Sequence, residues 1–185
     1  MHNQDTYKGA SFSLQNRLSR LIWNIAYLLL FRFSPRPLHF WRALLLRTFG
    51  AKVGKGVHVY PGVKIWAPWN LDIGDESGIA GGVNLYNQGR ITIGYRVVIS
   101  QGSHLVAGTH DYTKQGFPLI TKPIEIGDHV WIAAESFIHP GVTIGRGCVV
   151  GARSVVNKDL PEWMVCSGHP CVPLKKRSFE QDTSS

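Results

Sequence analysis

The sequence predicts an all-β fold, a parallel β-helix in which the chain winds into a triangular prism. A helical segment precedes the prism and one loop protrudes from it. Three observations predict this architecture. A six-residue repeat begins at Val53, extra pairs of residues interrupt the repeat at regular distances, and a longer irregularity lies between Leu105 and Ala133.

The repeat is visible when the chain is written in lines of six, such as VGKGVH and VYPGVK near its start and IHPGVT near its end. Each line opens on Ile, Leu or Val. A helix repeats near 3.6 residues and a strand at 2, so neither period explains the pattern. A hexapeptide period is typical of a parallel β-helix, in which each short strand buries one aliphatic side chain and the next residues turn a corner. Sandwich strands would instead need alternation at period 2.

The irregularity has the size of an inserted loop. The extra pairs that begin at Leu71 and Ile91 stand 20 residues apart, whereas Ile91 and the next such residue, Ile124, stand 33 apart, so 13 residues are added. Solenoids accept insertions at their corners, and such loops often gather on the binding face. We expect a loop over residues 111–123 that leaves the prism directly after His110. Its two prolines suit a semi-rigid arm that reaches a neighbouring subunit.

The segment before the repeat is expected to be helical. Residues 14–33 and 38–49 predict two helices, because the prolines of SPRP between them enforce a turn. An uncovered solenoid end exposes apolar groups, so a capping role is expected for this segment. The sequence therefore divides into a helical segment at residues 1–50, a β-helix at 51–165 and a tail at 166–185.

The charge of the helical segment suggests a second role. Residues 1–50 hold seven Lys or Arg against one Asp, whereas residues 51–185 hold thirteen against eleven acidic residues. Arginines interleaved with aromatic residues on amphipathic helices suit an anionic membrane surface, so peripheral membrane contact through residues 14–49 is the alternative to capping alone. Nucleic-acid binding is disfavoured, since the segment is apolar and carries no recognised motif. The residues concerned are Arg17, Arg20, Arg32, Arg36, Arg42 and Arg47, with Trp23, Phe31, Phe33, Phe40 and Trp41.

Neither a membrane span nor a signal peptide is predicted. The apolar run at residues 21–31 is interrupted by Asn24 and is shorter than the roughly 20 residues that a spanning helix needs. No small-residue cleavage pattern follows it. The cysteines, Cys148, Cys166 and Cys171, form no CxxC pair and have no histidine cluster at zinc spacing. We expect a cytoplasmic protein with free thiols and no required metal.

Longer segments of the chain resemble a known family. The stretch IGDHVWIAAESFIHPGVTIGRGCVVGARSVVNKDLPEWMVCSGHPCVPLKKR is similar to the hexapeptide-repeat acyltransferases, which include galactoside, maltose and serine O-acetyltransferases. With LLLFRFSPRPLHFWRALLLRTFG and IWAPWNLDIG included, the chain from about Phe12 to Arg177 resembles the colanic acid biosynthesis acetyltransferases most.

The resemblance implies an O-acetyltransferase that uses acetyl-CoA as co-substrate, acts on a sugar of a surface or exopolysaccharide, and forms a homotrimer. It also implies a left-handed β-helix. The handedness comes from the resemblance alone, because crossovers between parallel strands are right-handed in about 98% of cases.

The resemblance further implies that His110, in GTHDY, is the general base. Acetyl transfer from a thioester to a sugar hydroxyl requires the removal of a proton from a very weak acid, and an imidazole that titrates near neutrality does this well. No covalent enzyme intermediate is required, since the hydroxyl attacks acetyl-CoA in a ternary complex and backbone N–H groups can hold the oxyanion. On the residues alone, His110 is one of eight histidines and equally a polar corner residue.

Other site residues are implied in the same way. Asn84 matches an asparagine that contacts the acceptor hydroxyl in the galactoside and maltose enzymes, although Asn is also a common turn former. Asp111 either orients a ring or begins the turn, and Trp131 borders the acyl-CoA cleft or a subunit contact. Ala134 stands where the family commonly has Ser beside the thioester, so an oxyanion contact there must come from backbone. The candidates for binding coenzyme A are Ala134, Gly151, Ala152, Arg153, Lys158, Lys175, Lys176 and Arg177.

Three other functions stay open from the sequence. A carbonic anhydrase on the same prism would need two histidines five positions apart, whereas His104 and His110 stand six apart and His129 follows 19 residues later. A non-catalytic assembly module would use the prism only to bind partners. An N-acyltransferase acting on an amino sugar nucleotide would depend less on His110, because neutral amines need less help from a base.

Overall fold

The computed structural model describes residue 9 and residues 11–178 of the 185-residue chain. Three sheets form the three faces of a prism, and successive strands along the chain fall on successive faces. The predicted β-helix with helices at its N-terminal end is therefore confirmed, and its left-handed sense stays a prediction. The strands are numbered along the chain. Face 1 contains β1 (Lys52–Val53), β4 (Leu71–Ile73), β7 (Ile91–Ile93), β12 (Ile124–Ile126) and β15 (Thr143–Ile144), and face 3 contains β3 (Lys64–Ile65), β6 (Asn84–Tyr86), β9 (His104–Val106), β14 (Phe137–Ile138) and β17 (Val155–Val156). Face 2 contains β2 (His58–Val59), β5 (Gly78–Ile79), β8 (Val98–Ile99), β13 (Trp131–Ile132), β16 (Val149–Val150), β18 (Met164–Gly168) and β19 (Cys171–Lys176).

The core is a set of stacked aliphatic side chains inside the prism. On face 2, Val59, Ile79 and Ile99 pair one above another at intervals of 20 residues. Ile132 and Val150 continue the stack, and all five side chains are buried. Full burial of one such side chain contributes about 1.5–3 kcal/mol. The positions that open the six-residue lines are therefore the positions that stabilise the fold.

The corners of the prism require left-handed backbone at fixed positions. Gly56, Glu76 and His129 occupy one corner in different coils, with φ between 57° and 65°. Gly147 continues this corner at φ 68°, and a Cβ added there would overlap the ring of Trp163. Glycine is favoured at this position because it tolerates both the dihedral angle and the close approach.

The inserted loop is a β-hairpin at its base. β10 (Gly108–His110) and β11 (Leu119–Thr121) pair antiparallel, and His110 stands opposite Leu119. After the hairpin the chain returns to face 1, where Ile124 pairs with Ile91. The register of the prism is thus continuous across the 13 added residues.

The end of the chain folds back along face 2. β18 pairs in parallel with β16, and β19 pairs antiparallel with β18. The boundary that the sequence places between residues 165 and 166 therefore lies inside β18, because the last coil continues into the tail. Cys148, Cys166 and Cys171 are free and buried here, and burial raises the pKa of the Cys148 thiol.

Two helices precede the prism. α1 spans Leu14–Ala26 and continues as a π-helical turn at Tyr27–Phe31, and α2 spans His39–Thr48. Each helix is shorter at its C-terminal end than the sequence predicts. The turn before α2 is held by the buried guanidinium of Arg42, which donates to the carbonyls of Pro35 and Arg36.

The inner side of the helices joins the prism core. Trp23 is fully buried, and its indole Nε1 donates to the carbonyl of Ile65 at 2.7 Å. Phe31 and Leu46 are also buried in the cluster that contains the aliphatic side chains of the first coils. The helices therefore cover the N-terminal end of the prism.

The outer side of α1 and the π-helical turn is apolar and exposed. The exposed aliphatic side chains are Leu14, Leu18, Leu21, Ile22, Ile25, Leu28, Leu29 and Leu30. Within the described residues, none of the helices has the length and hydropathy to cross a membrane. Of the residues that the sequence groups as membrane-facing, Trp23, Phe31 and Arg42 point inward instead, because they pack on the first coils.

Candidate functional site

His110 lies at the end of β10, with an exposed side chain. Its Nδ1 is 2.7 Å from the carbonyl oxygen of Phe117 on the opposite side of the hairpin. A carbonyl oxygen only accepts hydrogen bonds, so Nδ1 carries the proton in this contact. The other ring nitrogen, Nε2, is then the one with a free lone pair. The hairpin thus presents His110 in the tautomer that a general base needs.

Asp111 builds the turn of the hairpin. Its backbone N–H donates to the carbonyl of Pro118 at 2.9 Å. Its carboxylate accepts from the Thr113 hydroxyl at 2.6 Å and from the Thr113 N–H at 3.1 Å, and it lies 3.7 Å from Lys114 Nζ. The hydrogen bonds from Thr113 hold the pKa of this carboxyl below its usual value. The geometry favours the turn among the two roles expected for Asp111, and contact with substrate stays a prediction.

A cavity of about 300 Å³ opens beside His110. Leu119 of the hairpin and Gln88, from the corner after β6, form one side of it. The other side comes from the N-terminal segment, and its residues are Ser11, Phe12, Arg17 and Arg20. From the sequence, these arginines belong to the segment expected to cap the prism, with membrane contact as the alternative, because nothing in the repeat indicates that α1 lies beside the hairpin.

Asn84 lies on face 3, outside this cavity. Its amide Nδ2 is 3.4 Å from Nδ1 of His104, which stands in the next coil, and the His104 ring stacks on Phe137 with centroids 5.9 Å apart. These side chains form an outward row on face 3. The structure therefore does not bring Asn84 and His110 together within one chain.

Trp131 and Ala134 lie on another part of the prism. Trp131 is on face 2, half-exposed, and its Nε1 donates to Ser100 Oγ at 3.1 Å. Ala134 is at the corner after β13, where its carbonyl accepts from the Arg153 N–H at 2.9 Å. The Ala134 N–H makes no hydrogen bond to any residue of the described chain, so it remains available to an oxyanion.

The basic candidates at the C-terminal end differ in their present contacts. Arg153 Nε donates to Glu135 at 2.6 Å, and both side chains are exposed. Arg177 donates through Nη1 to the carbonyls of His129 and Gly147, both at 2.9 Å, so this nitrogen is already bound to the prism. Three other basic candidates, Lys158, Lys175 and Lys176, have exposed side chains and form no ion pair among the described residues.

Gly151 and Ala152 form the corner beside Arg153. A Cβ on Gly151 would lie 2.5 Å from Ser167 Oγ, which accounts for the glycine by packing. Ala152 is exposed next to it. Both could border a ligand that runs along the corner, and this stays a prediction.

The three histidines considered for a metal site have different surroundings. His104 lies on face 3 against Phe137, whereas His129 lies at a corner with its ring 5.2 Å from that of Tyr95. His110 is on the hairpin. In the described part of the chain, no group of three or more His, Cys, Asp or Glu has a metal-binding arrangement.

Comparison with known proteins gives consistent matches. A family model described as bacterial transferase hexapeptide (six repeats) matches residues 123–158. The chain is 48% identical over 162 residues to the colanic acid biosynthesis acetyltransferase WcaF of Escherichia coli (strain K12), which covers 88% of this chain and 89% of that protein. It is 36% identical over 139 residues to the galactoside O-acetyltransferase of the same strain, which covers 73% of this chain and 68% of that protein.

A solved structure gives the same result for the fold. A hexapeptide-repeat acetyltransferase of Vibrio cholerae O1 biovar eltor, complexed with acetyl coenzyme A, has a TM-score of 0.83 and 30% identity over 92% of this chain and 93% of that chain. The sequence identity extends over nearly the whole length, and the prism with its helices is shared. The chain belongs to the hexapeptide-repeat acetyltransferase family.

Proposed function

We propose that this protein transfers an acetyl group from acetyl-CoA to a sugar hydroxyl of a surface or exopolysaccharide precursor, with His110 as general base. The contact between His110 Nδ1 and the Phe117 carbonyl carries the proposal, since it leaves Nε2 free to accept a proton. The relative named as a colanic acid biosynthesis acetyltransferase supports the acceptor, and the solved structure complexed with acetyl-CoA supports the donor.

In the proposed reaction the sugar hydroxyl attacks the thioester and the thiol of coenzyme A leaves. Nε2 of His110 accepts the hydroxyl proton while the hydroxyl oxygen attacks the thioester carbonyl carbon. The Phe117 carbonyl stabilises the resulting imidazolium through the Nδ1 proton, and the Ala134 N–H donates to the oxyanion. The C–S bond then breaks, and the imidazolium returns its proton to the sulfur of coenzyme A. The products are an acetyl ester and a free thiol, so no other reactant is needed.

We also propose that the active site forms between subunits of a homotrimer. His110 and the cavity beside it lie near the N-terminal helices, whereas Trp131, Ala134 and Arg153 lie away from that cavity in the same chain. A base on the hairpin of one subunit and a donor site on the prism of its neighbour would complete each other. In this arrangement Arg153, Lys158 and Lys175 are the cations proposed for the phosphates of coenzyme A.

Peripheral contact with the inner face of the plasma membrane is proposed for the outer side of α1. Eight aliphatic side chains are exposed along α1 and the π-helical turn, and no Asp or Glu occurs between residues 11 and 71. An apolar stripe without acidic neighbours fits an anionic bilayer better than a second copy of the same cationic surface. A cytoplasmic enzyme at this location would meet a lipid-linked acceptor.

The first experiment is calorimetric titration of the full chain with acetyl-CoA and with coenzyme A. Micromolar binding, about −8 kcal/mol, at one site per chain is expected. Release of coenzyme A in the presence of sugar acceptors then measures transfer. Absence of binding would remove the acetyltransferase proposal and leave an assembly module. Transfer to amino sugars that persists in His110→Ala would favour N-acyl transfer.

A further inference from the structure

We infer that the cavity beside His110 is an acceptor subsite that selects a sugar with an anionic group, either a carboxylate or a phosphate. The inference rests on the proposed acetyl transfer and adds the chemical class of the acceptor. It comes from the residues that line the cavity, from their charge, and from buried polar atoms in them that have no partner.

Among the described residues, those that line the cavity carry two positive charges and no negative one. Arg17 and Arg20 line it, and no residue among 11–178 forms an ion pair with either of them. Between residues 11 and 71 the sequence contains no Asp or Glu. A guanidinium binds carboxylate and phosphate oxygens through paired N–H donors, so these anions fit the cavity best.

Two side chains of the cavity have buried atoms with no hydrogen-bond partner among the described residues. These atoms are Nε of Arg20 and Oε1 of Gln88. A buried polar atom without a partner costs about 1–3 kcal/mol. A ligand with an anionic oxygen for Arg20 and a hydroxyl for Gln88 would satisfy both atoms. An acidic sugar carries both kinds of group.

Arg20 is held in place before any ligand arrives. Its guanidinium carbon lies 4.3 Å from the ring centroid of Trp66 and 5.3 Å from that of Phe12. The backbone of Trp66 is in turn held by its main-chain N–H, which donates to the side-chain Oδ1 of the buried Asn87 at 3.0 Å. Because the rings restrict the guanidinium without using its N–H groups, those donors remain available to a ligand.

Gln88 connects the subsite to the strand that carries His110. A Cβ added to Gly108 would overlap Oε1 of Gln88, so the amide lies directly against the start of β10. Gln88 Nε2 also donates to the Tyr86 hydroxyl at 2.9 Å, which orients Oε1. A sugar whose anionic group meets the arginines would therefore place its hydroxyls between Gln88 and His110. A volume of about 300 Å³ is at the small end for ligand pockets, which suits a single sugar unit.

The test compares three probes on the full chain saturated with coenzyme A. The probes are methyl β-D-glucuronide, methyl β-D-glucoside, which differs from it by the carboxylate alone, and glucose 1-phosphate. Calorimetric titration is expected to show at least about tenfold tighter binding of one charged probe than of the glucoside, since a charged hydrogen bond contributes about 1.5–3 kcal/mol. The glucuronide and phosphate arms distinguish the two sources of the anion.

The variants are Arg17→Gln and Arg20→Gln, with Arg90→Gln as the matched control. Arg90 is exposed and paired with Asp72 outside the cavity, so its loss is expected to leave the preference unchanged. Each cavity variant is expected to reduce the preference for the charged probe about tenfold, and Arg20→Lys to restore part of it. Arg17 is exposed, so Arg17→Gln tests the inference even where Arg20→Gln folds poorly.

Two outcomes would overturn the inference. One is equal or absent binding of the charged probes and the glucoside. The other is a preference for charge that neither Arg17→Gln nor Arg20→Gln changes. The proposed function fails separately, through absence of acetyl-CoA binding. A protein that binds acetyl-CoA and acetylates neutral sugars at the same rate as acidic ones would keep its function and lose this subsite.

Discussion

His110 Nδ1 lies 2.7 Å from the carbonyl oxygen of Phe117, across the base of the hairpin. The two residues are seven positions apart, so the contact exists only while β10 and β11 are paired. The hairpin therefore determines both the position and the tautomer of the imidazole.

His110→Ala is expected to lower kcat by about 100- to 10,000-fold, the usual contribution of a general base. Steady-state rates of coenzyme A release measure it. His139→Ala is the control, because His139 lies on face 3 against Phe137 and has no part in the proposed reaction. Equal losses in the two variants would contradict the role of His110.

Gly108→Ala is expected to displace Gln88 and to destabilise the fold by about 1–3 kcal/mol, as overpacking does. Denaturant unfolding measures the stability, and acetyl transfer is expected to fall with it. Gly78→Ala is the matched control in another strand, since a Cβ there meets nothing within 4 Å. Its stability is expected to stay within about 0.5 kcal/mol of the parent. The explanation is wrong if both alanines behave alike.

Arg42→Ala is expected to destabilise the protein by about 1–3 kcal/mol, because it leaves one buried acceptor, the Val59 carbonyl, without its hydrogen bond and removes three part-buried hydrogen bonds. The acceptors are the carbonyls of Val59, Pro35 and Arg36 and the hydroxyl of Ser34. Thermal and denaturant unfolding measure the loss. Arg47→Ala is the control, since Arg47 is exposed and donates only to two carbonyls. A neutral Arg42→Ala would show that this network does not stabilise the cap.

Mixed trimers are expected to recover activity from two inactive chains. His110→Ala removes the base, and Ala134→Trp fills the proposed donor corner. If the two residues of one site belong to different subunits, refolding the variants together restores part of the activity, whereas each alone stays inactive. Light scattering should give the mass of three chains in every sample. A stable, active monomer would contradict the shared site.

Binding to vesicles is expected to depend on the outer side of α1. The double variant Leu21→Gln and Ile25→Gln should reduce cosedimentation with phosphatidylglycerol vesicles, and its fold should persist because these side chains are 56% and 53% exposed. Leu174→Gln is the control, since Leu174 is 63% exposed at the other end of the chain. Equal binding to phosphatidylcholine vesicles, or none to either, would count against membrane contact.

The sequence predicts the prism well because one aliphatic side chain per line is a strictly local rule. Ile93 and Ile126 pair across the insertion, as the spacing of the extra pairs indicates. The same spacing predicts a loop over residues 111–123 that begins after His110, whereas the hairpin already begins at Gly108, so His110 lies at the end of its first strand. These features depend on neighbours one coil apart, which the period itself identifies.

The surroundings of Arg20 and Arg42 could not be predicted in this way. Both belong to a cationic, apolar segment that reads as one amphipathic surface. In the structure Arg42 is fully buried and Arg20 stacks on Trp66, which is 46 residues later in the chain. Such contacts depend on how a helix docks on a coil, and no repeat specifies that. The cavity beside His110 could not be predicted for the same reason, since it also depends on where the helix docks.

The continuous register across the hairpin separates stability from specificity. Since Ile124 pairs with Ile91 as if nothing intervened, the stacked core does not respond to the length of the segment between them. Doubling a flexible loop costs only about 0.6 kcal/mol in closure entropy. Loops of other lengths could therefore be grafted between residues 107 and 123 to reposition the general base, His110, or to reshape the acceptor cavity, while the structure of the prism stays unchanged.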